Sequence, residues 1–360
     1  MNRKPKNFKT NNNHLIHMGN QNNNMQKNSQ SFINKKEKFN QSIKGFINNS
    51  NNCYINSFLQ ILLHTPNFLR YLNEYNDNDY NENNTLIFNL KGLSLATNDG
   101  KIKLYINNIK EIMGEVKKTY NSQEQGDSQY FGIDLIDKLI SEVKHEKSFD
   151  SCISAANMDL NISKQTKYEI FKNEYNNKHD YIERLFQFIE VKKGLNDNLD
   201  FYSIQLHIEL IFPNNIKNND EIDLIKLLNL KYDNNLKIAD LPEIFIITFD
   251  RGIHGKKLIK TNVKYPLNLD FKEYIDKEDY IEIGETKYIL YALNERSGLY
   301  KNQGHYTCKI KIYKKEGQTI KEKCYTFSDN NVWISGSHNF SNICDICGLY
   351  YIRVDCFKEK

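Results

Sequence analysis

One cysteine, Cys53, stands directly in front of the apolar positions of a helix-forming run, GFINNSNNCYINSFLQILLHTP, from Gly45 to Pro66. A thiol on the first turn of a helix meets the positive end of the helix dipole, which favours the nucleophilic thiolate. Tyr54, Ile55, Phe58, Leu59, Leu62 and Leu63 recur with a helical period and predict one buried stripe. Pro66 predicts the end of that helix, and Asn51 and Asn52 are suited to cap its start. Position alone leaves two readings open. Cys53 is a nucleophile, or it is a small buried hydrophobe.

A cysteine nucleophile needs a base that takes its proton and later protonates the leaving amine, and histidine is the usual choice. Of nine histidines, most stand in polar or loop contexts. His305 differs, because QGHYTCKI sets Gly304 before it and a half-buried strand after it. A glycine there lets backbone or substrate approach closely. The base in turn needs an acceptor that fixes its tautomer. The next strand, CYTF, ends in Ser328 and Asp329, and a hairpin from His305 returns that end alongside it. An early cysteine, a histidine about 250 residues later and a polar orienter after it form a papain-like order of parts.

The elements that must hold these residues fall into two halves. The first reads helical: the Cys53 helix, then LIFNLKGLSLA, then a helix from about Phe131 to Val143 that puts Phe131, Leu135, Ile136, Leu139, Ile140 and Val143 on one face. The second is strand-like. IQLHIELIF, PEIFIITF, YILYAL, HYTCKIKIY and LYYIRV are short runs rich in β-branched and aromatic residues. In HYTCKIKI, Tyr306, Cys308, Ile310 and Ile312 alternate with Thr307, Lys309 and Lys311, and residues 314–317 predict a hairpin turn. Helices followed by an antiparallel sheet predict an α+β fold with a cleft between the layers. Residues 1–40, rich in Asn, Gln and Lys, predict a disordered leader before a folded region over 41–357.

Composition narrows the function classes. With 360 residues, 39% hydrophobic and 12% aromatic, the chain can bury a sizeable core despite a mean hydropathy of −0.68. A net charge of +4 argues for neither nucleic acid nor a membrane surface as partner. No apolar stretch approaches the roughly 18 residues of a membrane span, and the polar N-terminus has no secretory h-region. Seven cysteines without the tight spacing of a disulfide scaffold point to a reducing compartment, cytoplasm or nucleus. Heavy use of Asn, Ile, Lys and Tyr suggests an AT-rich gene of a protist or a large DNA virus; in the viral case the compartment would be the host cytoplasm.

Local motifs sharpen the site. GFINNSNNCYINSFLQILL resembles the cysteine box of the ubiquitin-specific proteases, G-L-x-N-x-G-N-T-C-Y-M-N-S-x-L-Q, matching at Gly45, Asn48, Asn51, Cys53, Tyr54, Asn56, Ser57, Leu59 and Gln60. QGDSQYFGIDLIDKL resembles the Q-Q-D-A-x-E-F helix through Gln125, Asp127 and Phe131. LPEIFIITFDR with VKYPLNLDF resembles the L-P-x-x-L-x-x-x-L-K-R-F strand and the segment after it. YILYALNERSG, GHY, CYTFSDNNV and GLYYIR then correspond in order to the histidine box and the closing strand. The blocks run from Gly45 to about Arg353.

The resemblance implies a papain-like cysteine protease with a thumb (about 45–148), fingers (about 149–235) and a palm (about 236–357), gripping ubiquitin and ubiquitinated proteins. It implies that Cys53 attacks the carbonyl of ubiquitin's terminal glycine, that His305 is general base and then general acid, and that Asn48 donates to the oxyanion. Ser328 or Asp329 would orient His305; the family usually carries Asn or Asp where Ser328 stands. Asp127, Gln125, Arg296, Gly304 and Tyr306 would meet the ubiquitin tail, Asp127 being equally readable as a helix N-terminal acid. Departures are Ser50 for glycine, Asn52 for threonine, Gly126 and Tyr130 in the helix block, Asp250 and Gly252 around Arg251, and Arg296 where a histidine is frequent. Of the two C-x-x-C pairs that hold zinc in many relatives, the fingers keep only Cys152. Cys344 and Cys347 form a lone pair near the C-terminus, which His338 or Cys356 could join only at unsuited spacing. They read as packing residues, so neither a metal nor a cofactor is expected. A ubiquitin-binding pseudo-protease and a protease for a ubiquitin-like modifier stand as the rival functions.

Overall fold

The computed structural model describes residues 43–75, 85–143, 181–194, 200–213, 216–217, 220–233, 235–250, 253–254, 257–258, 260–276, 285–300, 303–316, 319–336, 340 and 345–357. The expected leader, Cys152, His338 and Cys344 lie outside them. Seven α-helices are described: α1 (Cys53–Leu63), α2 (Pro66–Glu74), α3 (Leu86–Leu95), α4 (Asp99–Val116), α5 (Ser128–Val143), α6 (Tyr181–Phe186) and α7 (Leu224–Lys231). The strands are β1 (Phe188–Lys192), β2 (Phe201–Gln205), β3 (Ile208–Ile211), β4 (Glu221–Asp223), β5 (Leu236–Asp240), β6 (Ile244–Asp250), β7 (Ile253–His254), β8 (Lys257–Leu258), β9 (Asn262–Lys264), β10 (Asn268–Asp270), β11 (Lys287–Tyr300), β12 (Gln303–Glu316), β13 (Thr319–Ser328), β14 (Asn331–Ser335) and β15 (Ile346–Arg353). This is the expected α+β arrangement, helices leading and sheet following.

Helix α1 departs from the expected single stripe: all eleven of its residues are buried. It is sandwiched, with α5 on one side and β12 and β13 on the other. Tyr54 and Phe58 both pack edge-on against Phe131 of α5. Gly132 makes this approach possible, since a Cβ there would lie 2.2 Å from the Phe58 ring. Pro66 does not itself stop α1, which ends at Leu63. It opens α2 instead, where its fixed φ and missing N–H are tolerated. Thr85 and Asn98 cap α3 and α4 through their side chains.

The large sheet runs β14-β13-β12-β11-β15-β6-β3, with β10 and β8 also pairing with β11. It is antiparallel except at its β3–β6 end. A three-stranded sheet, β2-β1-β5, and a parallel pair, β4-β9, complete the strands. The run IQLHIELIF divides between β2 and β3 at a bend over Leu206 and His207. Residues 314–316, expected in a turn, continue the ladder of β12 and β13 as far as Glu316 opposite Thr319. Two cores flank the central strands. Ile246, Tyr350 and Ile352 face the helices, while Phe245, Ile247, Leu349 and Tyr351 face a second cluster with α7. Strands covered on both faces are the reason PEIFIITF and GLYYIR read as nearly unbroken apolar runs.

Candidate active site

Cys53 is the first residue of α1 and is 3% exposed. The loop before it owes its shape to Asn48, whose Oδ1 accepts the Asn52 backbone N–H at 2.8 Å. Asn51 sits in the left-handed region at φ 56°, which asparagine tolerates better than most residues. Neither Asn51 nor Asn52 caps α1 with its side chain, contrary to expectation. The Asn52 Oδ1 instead accepts from the ammonium of Lys110 on α4 at 3.0 Å, and from Ser50 at 3.3 Å. Burial pushes the Cys53 thiol above its ordinary value, and the nearby charge of Asp329 adds to this. The backbone N–H of Tyr306 and the Gln125 amide act the other way but do not prevail. The helix start that favours a thiolate is thus opposed by the dryness of the cleft.

His305 lies near the start of β12, opposite Ser297 of β11. Its Nε2 is 2.8 Å from the Ser328 hydroxyl and 3.9 Å from Asp329 Oδ2. Ser328 therefore makes the direct contact, and Asp329 supplies charge from just behind it. Asp329 holds the tight turn between β13 and β14 at φ 52°, and its carboxylate is a junction. Oδ2 accepts from the Asn48 amide at 2.9 Å and Oδ1 from the Asn56 amide at 2.9 Å. Its backbone carbonyl accepts the Phe46 N–H at 2.8 Å. Gly45 is required there, because a Cβ would fall 2.4 Å from Asp329 O and Asn330 C. The acid thus ties the loop before Cys53, α1 and the β13–β14 turn together.

Asn56 was visible only as one matching letter of the cysteine box. Its position three residues after Cys53 places it near the thiol on the same side of the helix, a spacing that could have marked it as a partner for Asp329.

The remaining candidates are linked to one another, and Gln125 reaches the thiol. The Gln125 Nε2 lies 3.7 Å from Cys53 Sγ and donates to the Gly304 carbonyl, bridging the helical layer and β12. Asp127 Oδ1 accepts from the backbone N–H groups of Gln129 and Tyr130 at 2.8 and 3.3 Å, which caps α5. Its Oδ2 accepts from the Tyr306 hydroxyl at 3.4 Å. Burial holds the Asp127 carboxyl above its ordinary value against these donors and the charge of Arg296. The Arg296 guanidinium stacks 5.6 Å from the centre of the Tyr306 ring and donates to the Tyr300 carbonyl at 2.7 Å. Gly304 fits between strands because a Cβ would meet Ser297 O at 2.5 Å and the guanidinium at 3.0 Å. Tyr306 itself is 2% exposed.

Among the described residues no group of three His, Cys, Asp or Glu side chains is placed to hold a metal ion. Cys347 packs in the core.

The site thus combines a buried thiol at a helix start, an imidazole at a strand mouth and a carboxylate joined to both halves. The sequence model of the ubiquitin carboxyl-terminal hydrolase family matches residues 44–344, most of the chain and all of these side chains. The chain belongs to the ubiquitin carboxyl-terminal hydrolase family. This hydrolase is a deubiquitinating thiol protease of papain-like fold. It is similar in structure to the SAGA Ubp8/Sgf11/Sus1/Sgf73 DUB module bound to ubiquitin aldehyde, with 14% identity and a TM-score of 0.65 over 92% of this chain and 75% of that one. A Ubp8 variant in the same module, bound to monoubiquitin, aligns at 14% identity and a TM-score of 0.64 over 87% of this chain and 69% of that one. A yeast SAGA DUB module aligns at 17% identity and a TM-score of 0.59, over 87% of this chain and 66% of that one. No curated protein matches the hydrolase in sequence.

Proposed function

We propose that the hydrolase cleaves the isopeptide or peptide bond after the terminal glycine of ubiquitin, with Cys53 as nucleophile and His305 as base. The observation that carries this reading is the Ser328 hydroxyl 2.8 Å from His305 Nε2, with Asp329 at 3.9 Å. An Nε2–H that donates to Ser328 leaves Nδ1 unprotonated, ready to take the Cys53 proton. The thiolate attacks the glycine carbonyl, and the imidazolium returns the proton to the departing lysine amine. His305 then activates the water that resolves the thioester. Asp329 steadies the imidazolium with its charge while Ser328 sets the ring's direction.

Asn48 is the oxyanion donor in this scheme. One hydrogen of its Nδ2 is held by Asp329, and an amide nitrogen carries two, so the second is free for the developing charge. Gln125, reaching from the segment ahead of α5 to Gly304, borders the entry for the ubiquitin tail. Asp127, Arg296, Gly304 and Tyr306 form the wall behind it.

Among the described residues, Cys53, Cys308, Cys324 and Cys356 carry free thiols, which fits a reducing compartment such as cytoplasm or nucleus. No described helix is long and apolar enough to cross a membrane.

The deciding experiment uses ubiquitin carrying a thiol-reactive C-terminal warhead, beside the same probe built on related modifiers. A covalent adduct with ubiquitin that Cys53→Ala abolishes is the expected result. Binding without an adduct marks a pseudo-protease, and an adduct only with another modifier reassigns the substrate.

A further inference from the structure

Lys110 is a lysine in the wrong place for an ordinary surface residue. It lies on the inward face of α4 and is 7% exposed as a residue, and burial lowers the pKa of its ammonium below the ordinary lysine value. Lysine is almost never buried unless it is paired. Among the described residues no carboxylate lies within ion-pair distance of it; its partners are two neutral oxygens, Asn52 Oδ1 at 3.0 Å and Ser50 Oγ at 3.3 Å. Both belong to the loop that leads into Cys53. They are also two of the positions at which this segment departs from the family's cysteine box, where glycine and threonine stand. Two departures and one buried cation meet at a single point, and each accounts for the others. The serine hydroxyl and the asparagine carbonyl are what a buried ammonium requires, and a glycine–threonine loop would offer it one hydroxyl at most.

We infer that Lys110 is a positioning residue for the reaction, holding the Asn48–Cys53 loop in its working shape through Ser50 and Asn52. The inference rests on Cys53 being the nucleophile. The link is short. Asn52 is fixed at its side chain by Lys110 and at its backbone N–H by Asn48 Oδ1, and it is covalently bound to Cys53. A loop that loses the first of these anchors lets both the thiol and the oxyanion donor drift from the reacting carbonyl. Misplacement by about 1 Å is enough to cost up to 10²-fold in rate. Lys110 touches no substrate in this scheme, so its effect belongs in kcat.

The test compares steady-state hydrolysis of a fluorogenic ubiquitin amide by wild type, Lys110→Met, Asn52→Thr and the double variant. Active-site titration with the ubiquitin warhead corrects each for its folded, competent fraction. Lys110→Met is expected to lower kcat about tenfold or more with KM within about twofold, and Lys110→Arg to recover part of the loss. Asn52→Thr is expected to lower kcat in the wild-type background and to add little in the Lys110→Met background, because both remove one link. Wild-type kcat in titrated Lys110→Met, or losses that simply multiply in the double variant, would overturn the inference. If Lys110→Met does not accumulate as folded protein, Ser50→Gly together with Asn52→Thr tests the same link. That pair is expected to lower kcat at constant KM, and unchanged kcat would overturn the inference equally. Failure of the wild type to react with the warhead is a different result: it removes the nucleophile assignment itself.

Discussion

The fold uses two aspartates, Asp329 and Asp127, differently. Asp329 occupies a left-handed turn at the end of the sheet, and its two oxygens accept from the side-chain amides of Asn48 and Asn56 while its charge faces His305. Asp127 spends one oxygen on the first backbone N–H groups of α5 and turns the other to the Tyr306 hydroxyl. The first is held by long-range partners and, in the proposed mechanism, acts on a ring that changes charge. The second closes a helix and stiffens the wall of the cleft. Burial raises the Asp127 carboxyl above its ordinary value, which suits a wall better than a centre that must stabilise a cation. Chemistry at a carboxylate is decided by what surrounds it, not by its distance from the nucleophile in sequence.

The sharpest way to break this contrast is Asp329→Asn. Asparagine keeps the left-handed turn but offers one acceptor oxygen where Asn48 and Asn56 need two, and it carries no charge for the imidazolium. The expected outcome is a fall in kcat of about 10²-fold at nearly constant KM, read with a fluorogenic ubiquitin amide. A fall confined to KM would move Asp329 from the chemistry to binding. Next in size is Asn56→Ala, which removes one of the two amides on that carboxylate. A loss of roughly tenfold in kcat is expected from a hydrogen bond to a charged group; no loss would mean that Asn48 holds Asp329 alone.

The Asp127 side of the comparison predicts smaller effects of another kind. Asp127→Ala should lower stability by about 1 kcal/mol in urea denaturation, as loss of a helix cap does, and should raise KM more than it lowers kcat. A large kcat effect would erase the distinction between the two acids. The smallest effect is one of pH. Because the folded state raises the Asp127 carboxyl above its unfolded value of 3.8, the native form holds its proton more tightly. That contribution to stability is fully present below pH 3.8 and is lost as pH rises through the folded value. Relative to Asp127→Asn, wild type should therefore gain stability on acidification from neutral pH. A difference that is flat or of opposite slope in paired urea titrations would show the cap bonds outweighing burial.

The nucleophile side was the more legible. One contiguous run contained Cys53, the apolar period after it and the matching letters around it, because helix formation and the dipole at its start are local. The strands of the sheet were legible as runs of β-branched and aromatic residues, and the order of cysteine, histidine and acid could be read along the chain. Other features depended on distant neighbours. The burial of α1 on every side requires α5 and the sheet together, so the periodicity showed only one stripe. Asn52 looked like a cap, yet its carbonyl is taken by Lys110, 58 residues away, and a nearby-residue rule cannot anticipate that. Pro66 looked like a stop and proved to be the first residue of α2, since the same restraint on φ serves either end of a connection.

The choice between Ser328 and Asp329 shows where the boundary lies. Sequence determined that a polar pair follows the last residue of CYTF, that a histidine stands one strand earlier, and that the chain is α+β with a thiol at a helix start. Those are statements about neighbours in the chain and about periods of 2 and 3.6 residues. Only the tertiary structure decided that the serine touches the imidazole while the aspartate, turned back by its positive φ, is bound by Asn48 and Asn56. Asn48 and Asp329 are 281 residues apart. A hydrogen bond responds to tenths of an ångström and to direction, and the packing of two layers, not the order of letters, sets those.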